Sequence, residues 1–246
     1  MVALSVNINK VAWLRNSRDG DIPSPIAAMK EIIASGADGI TIHPRPDERH
    51  ITHADTLSIA NEWRQTKNIE LNIEGFPDDR WLALLENIKP NQATLVPDSP
   101  TQKTSDHGYR LAHQMTAMTQ LVKKIKSFAG IRVAIFIDGD GNGDEIKRVR
   151  DIGADRVEFY TGPYAHAFAK KKGDAILQNY VANSQTAINC HLGINAGHDL
   201  NLNNLPDLVR ALPQLDEVSI GHALIADALW FGFNHTIKKY QNAIAK

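Results

Sequence analysis

One cysteine, Cys190, stands in 246 residues, so the chain cannot close a disulfide within itself. That fits a reducing compartment and says nothing more. Charge of one sign is also scarce. Lys and Arg number 27 against 28 Asp and Glu, a net charge of -1, which leaves no basic excess for nucleic acid or an anionic membrane across a broad face. Local phosphate sites stay open. No apolar run reaches the roughly 18 residues of a membrane span, and the apolar start, Met1 to Val6, is interrupted at once by Asn7 and Asn9. Neither a signal peptide nor a membrane span is read there, and the expectation is a soluble, cytoplasmic protein. Ordinary proportions of hydrophobic (43%) and charged (22%) residues exclude a disordered or fibrous chain.

What is present is a repeating pattern. Eight short apolar or β-branched runs, at 4–9, 39–43, 69–74, 93–97, 132–138, 156–160, 188–195 and 217–221, alternate with segments of helical period. Runs of this length suit buried parallel strands. Between them Ile22, Ile26, Met29 and Ile33 predict a helix ended by Gly36, and Thr52 with Asp55 predicts a capping box. Pro77 suits a first helical position, residues 109–128 a longer helix, and the last helix a break near Gly232. Strand and helix alternate with no linker, and the length is close to the roughly 250 residues of a (β/α)8 barrel. The expectation is one TIM-barrel domain over 1–246 with extra short helices. Gly36-Ala-Asp-Gly-Ile-Thr-Ile-His43 and Gly153-Ala-Asp-Arg-Val-Glu-Phe-Tyr160 echo one another four units apart, as a duplicated half-barrel or two similar short turns would.

Active sites of such barrels lie at the C-terminal strand ends. Those ends read Asn7 and Asn9, His43 and Arg45, Glu74, Asp98, Asp138, Glu158 and Thr161, His198, and His222, while the strand interiors read as Val, Ile, Leu, Ala and Phe. Taken singly, a His or Glu after a strand is more often a cap or a solvated loop residue; a whole ring of them favours function. His43, His198 and Glu74 suit proton transfer near neutral pH. Arg18, Arg45 and His50 suit anions, and glycine beside a helix start at Asn195-Ala-Gly-His198 and Ile220-Gly-His222 suits phosphate. Asp138-Gly-Asp-Gly-Asn-Gly143 imitates a calcium loop, but its twelfth position is Val149 where a bidentate Glu is required. His50 and His53 lack a convincing metal partner set, so His50 reads as an anion contact and His53 as a surface residue. Lys170 to Lys172 reads as a solvated loop.

Asn7-Ile-Asn9, Leu14-Arg-Asn-Ser-Arg18, Gly36-Ala-Asp-Gly-Ile-Thr-Ile-His-Pro-Arg-Pro-Asp-Glu-Arg-His50, Asn72-Ile-Glu74, Leu95-Val-Pro97, Asn195-Ala-Gly-His198 and Ser219-Ile-Gly-His-Ala-Leu224 are in the chain. Together they resemble the pyridoxine 5′-phosphate synthase family of deoxyxylulose-dependent vitamin B6 biosynthesis, over essentially the whole chain. The resemblance implies a (β/α)8 barrel, usually a homooctamer, with no metal and no organic cofactor. It implies condensation of 1-deoxy-D-xylulose 5-phosphate with 3-amino-2-oxopropyl phosphate to pyridoxine 5′-phosphate, phosphate and water. His43 and Glu74 would be proton acceptors, His198 a proton donor, and Glu158 would stabilise a charged intermediate. Asn7, Gly221, His222 and the residue after His198, Asp199, would hold the amino-ketone phosphate. Arg18, Arg45, His50 and Thr104 would contact phosphate or the sugar-derived substrate, with Thr104 in a loop, 98–108, that closes the mouth.

Three positions depart from that pattern. Asn9-Lys10 stands where many members carry Asp-His, and Lys10 suits an anion as a point charge. Asp199 stands where Gly is common, so its carboxylate should turn from a phosphate and leave only its N–H. The loop 139–144 is longer than usual. Other readings remain: a Schiff-base aldolase using Lys10, a metal-dependent hydrolase (though Asn7-Ile-Asn9 replaces the expected His-x-His), and a non-catalytic phosphosugar-binding barrel.

Overall fold

The computed structural model describes residues 1–98, 105–141 and 143–245. Its strands are β1 (Ala3–Asn7), β2 (Gly39–Ile42), β3 (Glu70–Gly75), β4 (Gln92–Leu95), β5 (Arg132–Asp138), β6 (Arg156–Tyr160), β7 (Gly193–Gly197) and β8 (Glu217–Ile220). All pair in parallel in chain order, and β8 returns to β1 with Ala3 opposite Glu217 and Val6 opposite Ile220. The expected eight-stranded barrel is therefore closed. Around it lie α1 (Asn9–Asn16), α2 (Pro25–Ala34), α3 (His53–Trp63), α4 (Asp79–Ile88), α5 (Met115–Ser127), α6 (Asp144–Asp151), α7 (Gly162–Ala169), α8 (Gly173–Asn189), α9 (Leu205–Ala211) and α10 (His222–Ile244).

Strand alternation explains the apolar core. Leu4, Val6, Ile40, Ile42, Leu71, Ile73, Val133, Ile135 and Ile137 are buried and belong to one core cluster with Met29, Ile32, Leu84, Leu85, Val122 and Ile125 of the helices. Alternate strand residues meet the helices, and the others are left to the lumen. Thus the greasy layer lies between strands and helices, outside the barrel lumen.

Local signals act where expected in several places. Thr52 Oγ1 accepts from the Asp55 N–H at 3.0 Å while Asp55 Oδ2 accepts from the Thr52 N–H at 2.9 Å. The same Asp55 takes Arg15 of α1 in a two-pronged ion pair. Thr52→Ala should therefore lower unfolding stability by about 1–2 kcal/mol, read as a reduced urea midpoint with an unchanged slope. Gly36 (φ +100°) and Gly153 (φ +84°) end α2 and α6 in the left-handed region, and Gly232 (φ +69°, ψ 160°) breaks α10. The echoed Gly-Ala-Asp segments share a task. Asp38 accepts the Leu4 N–H and Asp155 the Val133 N–H, each tying the start of the preceding strand. Asp216 does the same for Ile194 without that motif, so the aspartate's task does not depend on the Gly-Ala before it.

Other boundaries move. The strand read at 188–195 is Gly193–Gly197, because Ile188 continues α8 and the turn is made at His191 (φ +58°). Ile22 lies outside α2 and is exposed; Ser24 caps that helix and Pro25 opens it. Pro77 precedes the true cap, Asp78, which accepts the Trp81 N–H at 2.7 Å. Residues 109–128 divide into a single 3₁₀ turn, Leu111–His113, and α5. The short helices α1 and α7 start directly after β1 and β6 and had no separate sequence signal.

Candidate active site

The lumen is polar through its depth, which corrects the expectation of apolar strand interiors with polar groups at one end. Ser5, Thr41, Asn72, Gln92, Thr94, Glu158, Asn195, Glu217 and Ser219 are all buried. Ser5 and Thr41 hydroxyls lie 2.7 Å apart, Asn72 donates to Thr41 at 3.4 Å, and Thr94 donates to Asn72 at 3.0 Å. Arg156 donates to Asn195 at 2.7 Å and sits 3.6 Å from Glu217. Buried polar groups are tolerable when they satisfy one another. The sequence pattern misled because the outward residues of each strand supply the apolar run.

At the C-terminal mouth this lumen widens into a cavity of about 590 Å³ lined by His43, Glu74, Glu158 and His198 among others. His43 follows β2, Glu74 lies near the end of β3, Glu158 is inside β6, and His198 follows β7. His43 Nδ1 lies 3.9 Å from Glu74 Oε2, and His43 Nε2 lies 3.8 Å from Asp98 Oδ2. Asn7 donates to Glu74 Oε2 at 3.4 Å. Asn9, at the start of α1, accepts the His43 N–H through its side chain at 3.0 Å, so it also holds the end of β2 in place. Asp98 pairs with the buried Arg45 guanidinium and accepts from Ser105 at 2.9 Å.

Burial controls the charges. It holds the His43 imidazole well below its usual pKa, and the fixed positive charge of Arg45 acts in the same direction. Burial pushes the Glu74 carboxyl well above its usual range, reinforced by Glu158, Asp98 and Glu217. Glu158 is pushed up to about 8, again by burial first and Glu217 second, while its hydrogen bond from Thr94 opposes the shift. Burial thus favours the neutral form of both His43 and Glu74, the kind of perturbed pair found at acid–base sites.

The walls are built for anions and rings. Lys10 Nζ lies 4.2 Å over the Trp13 ring, and its pKa is lowered by burial and by Arg49. The His50 ring lies between those of Trp13 and His43, 6.1 Å from each centroid. Its Nδ1 accepts the Ile51 N–H at 2.9 Å, and its pKa falls to about 3 through burial and then Arg45. The neutral ring therefore carries its proton on Nε2. Opposite, His198 packs edge-on to Tyr160 at 5.4 Å and near Phe136 at 6.1 Å. His198 and Asp199 both have positive φ, 88° and 57°, and the Thr161 hydroxyl lies 2.7 Å from the Gly197 carbonyl and 2.5 Å from that of His198. Gly197 leaves room for the Glu158 carboxyl: a Cβ there would lie 2.8 Å from Glu158 Oε1 and would displace it.

Of the residues singled out from sequence, Asn7, Asn9, Lys10, His43, Arg45, His50, Glu74, Glu158, His198, Asp199, Gly221 and His222 all line this cavity. The Asp199 carboxylate is largely exposed, 4.0 Å from His198 Nδ1. Arg18 does not line the cavity and is exposed beyond the end of α1. Thr104 lies outside the described residues, as does most of the loop 98–108 ahead of Ser105. His53 and Lys170 to Lys172 are exposed, as expected. Among the described residues no three His, Cys, Asp or Glu side chains are grouped to hold a metal ion. Sequence reasoning missed Ser105, Trp13, Phe136 and Tyr160, left Asp98 without a role, and overlooked the lumen residues Thr94 and Glu217. Period-two spacing (Asn72 with Glu74, Glu217 with Ser219) was the available signal for the lumen.

Known proteins can be set beside this geometry. Phosphoribosylanthranilate isomerase from Thermotoga maritima superposes with a TM-score of 0.60 at 13% identity, covering 99% of this chain and 98% of that one. Tryptophan synthase from Mycobacterium tuberculosis gives 0.63 at 12%, covering 99% and 92%. At such identity these matches speak for the barrel fold alone. In sequence, the chain is 47% identical to pyridoxine 5′-phosphate synthase of Porphyromonas gingivalis over all of both chains. It is 45% identical to the enzyme of that name from Bacteroides thetaiotaomicron, over 99% of this chain and 100% of the relative. Residues 4–246 match the model of the family described as pyridoxal phosphate biosynthesis protein PdxJ. The chain belongs to the PdxJ family of pyridoxal phosphate biosynthesis proteins.

Proposed function

We propose that this chain is an enzyme that condenses 1-deoxy-D-xylulose 5-phosphate with 3-amino-2-oxopropyl phosphate, yielding pyridoxine 5′-phosphate, inorganic phosphate and water. The observation that carries this is the meeting of His43, Glu74, Glu158 and His198, distant in sequence, around one cavity whose rim also holds Lys10, Arg45 and His50. The amino-ketone supplies its own amine, so imine formation needs no enzyme lysine. His43 and Glu74 accept protons and His198 donates one. An arriving ammonium or iminium favours the ionised carboxyls and so reverses the effect of burial on Glu74 and Glu158; Glu158 then stabilises the charged intermediate. Phosphate loss, water addition and loss, and ring closure are further proton transfers that the same groups serve in turn.

For the amino-ketone phosphate, Asn7, Gly221, His222 and the backbone N–H of Asp199 are assigned. Arg45, His50, Asn9 and Lys10 face the sugar-derived substrate, with Thr104 as a further phosphate contact; Arg18, outside the cavity lining, is left without a contact. The chain acts as one domain, in the cytoplasm, as a homo-oligomer that the resemblance makes an octamer. The exposed apolar run Leu229, Trp230 and Phe231 at the break of α10 supports association. Sedimentation should then give eight times the 27.2 kDa chain mass.

Mixing the purified protein with both substrates should release phosphate and pyridoxine phosphate in equal amounts; ligand binding without either product would make the barrel a binding protein instead. Lys10→Met should raise KM for the sugar phosphate by about tenfold with kcat little changed, as loss of one partly exposed phosphate contact implies. A second reading has one observation in its favour: the lowered pKa of Lys10 suits an amine nucleophile. Borohydride trapping of a substrate adduct on Lys10 would favour that aldolase reading, and its absence the synthase.

A further inference from the structure

Glu158 is buried to 3% exposure, yet its hydrogen-bond neighbour inside the lumen is a neutral hydroxyl, Thr94 Oγ1, at 3.3 Å from Oε2. That hydroxyl has a second possible acceptor, Asn72 Oδ1, at 3.0 Å. It also receives Gln92 Nε2 at 3.5 Å, and Gln92 Oε1 in turn accepts from Arg132 Nε and Nη2 at 3.3 Å each. The Arg132 contacts fix which way the Gln92 amide points. Thr94 has a single proton and two lone pairs, so it cannot serve both acceptors at once.

We propose that Thr94 is a positioning residue whose hydroxyl switches between Asn72 and Glu158, so that the Glu158 carboxyl is hydrogen-bonded within the barrel in both of its protonation states. With the carboxyl protonated, its O–H donates to Thr94, and Thr94 donates to Asn72. With the carboxyl ionised, Thr94 turns and donates to Glu158, at the end of a head-to-tail row of donors that starts on the Arg132 cation and passes through Gln92. Dipoles aligned this way strengthen one another. The proton lost or gained by Glu158 passes through the cavity above it; only the hydroxyl rotates.

The inference rests on the reading that Glu158 faces the reacting groups. It also has to hold among the other charges around that carboxyl. Glu74 approaches from β3, Glu217 from β8, Arg156 from β6, Arg132 from β5, and His43, Asp98 and His198 from the ends of β2, β4 and β7. Burial and Glu217 raise the Glu158 pKa while the Thr94 bond lowers it, which is the sign the switch requires.

The test is a carbon-13 NMR titration of the Glu158 side-chain carboxyl, assigned by its loss in Glu158→Gln, in the full-length protein and its Thr94 variants. Thr94→Val should raise the titration midpoint by about one pH unit, the difference between losing a hydrogen bond to the buried charge and losing one to the neutral carboxyl. Thr94→Ser should restore it to within a few tenths of a unit. Gln92→Leu, which keeps the hydroxyl and removes its backing, should shift the midpoint in the same direction by less, and it carries the test if the valine variant does not fold. Equal midpoints in wild type and Thr94→Val, or in wild type and Gln92→Leu where only that variant folds, or failure of serine to restore, would overturn the proposal. The acidic limb of the kcat profile should move with the midpoint. A titration that shifts while that limb stays still would leave the switch intact and instead remove Glu158 from the proposed reaction.

Discussion

Glu74→Gln is expected to lower turnover by about 10²- to 10⁴-fold, the range a positioned acid–base group contributes, while the protein melts no earlier than wild type. The substitution keeps the shape and the bond from Asn7 but removes the only proton that Glu74 can exchange with His43, 3.9 Å away. The fold should survive because the group removed is one that burial already forces toward its neutral form. His43→Gln should fall in the same range. The two groups work as a pair, so the double variant should be little worse than either single one; residues acting as a unit give strongly non-additive losses. Steady-state rates of phosphate release for the three proteins decide the matter. Additive losses would separate the two roles, and unchanged rates in both single variants would remove them from the chemistry.

Glu158→Gln should trade activity for stability, in a pH-dependent way. In the folded chain the carboxyl titrates near 8, against 4.5 for the unfolded group. Folding therefore favours its protonated form. The contribution is fully present below about pH 4.5 and is lost as pH rises toward 8, where the ionised group is more comfortable in the unfolded chain. Glutamine has no such slope. The variant should match wild type near pH 4.5 and exceed it by a few kcal/mol, or roughly 5–10 °C in melting temperature, by pH 8.5. Turnover should drop at every pH, because the neutral amide cannot offset a cationic intermediate. Thermal melts at a series of pH values provide the test; a constant offset between the two proteins would contradict the burial argument.

Much of this site could be read from the chain without coordinates, and the misses have identifiable causes. His43, Glu74, Glu158 and His198 stand out because each is a titratable residue at or near the end of an apolar run, and barrels gather such positions at one mouth. Thr94, Asn72 and Glu217 did not stand out, since a polar residue inside an apolar run looks like an isolated exception until closure shows which alternate residues share the lumen. Asp98 was visible as a strand-end carboxylate, but its partner Arg45 is 53 residues away in sequence. No local pattern links them. Ile188 reads as strand because it is β-branched and close to the true strand; the packing of α8 through Ala187 overrides that preference.

Local chemistry alone settled the order of strands and helices, the capping of α3 by Thr52, the turns at Gly36 and Gly153, and the set of acid–base candidates. Each of those depends on forces acting over a few residues, such as periodicity, caps and backbone sterics. Closure of the barrel decided which polar side chains meet, that its interior is a hydrogen-bonded column, and that burial favours the neutral forms of His43 and Glu74. Those outcomes depend on desolvation and on fields from distant strands, which exist only once the chain has folded around them.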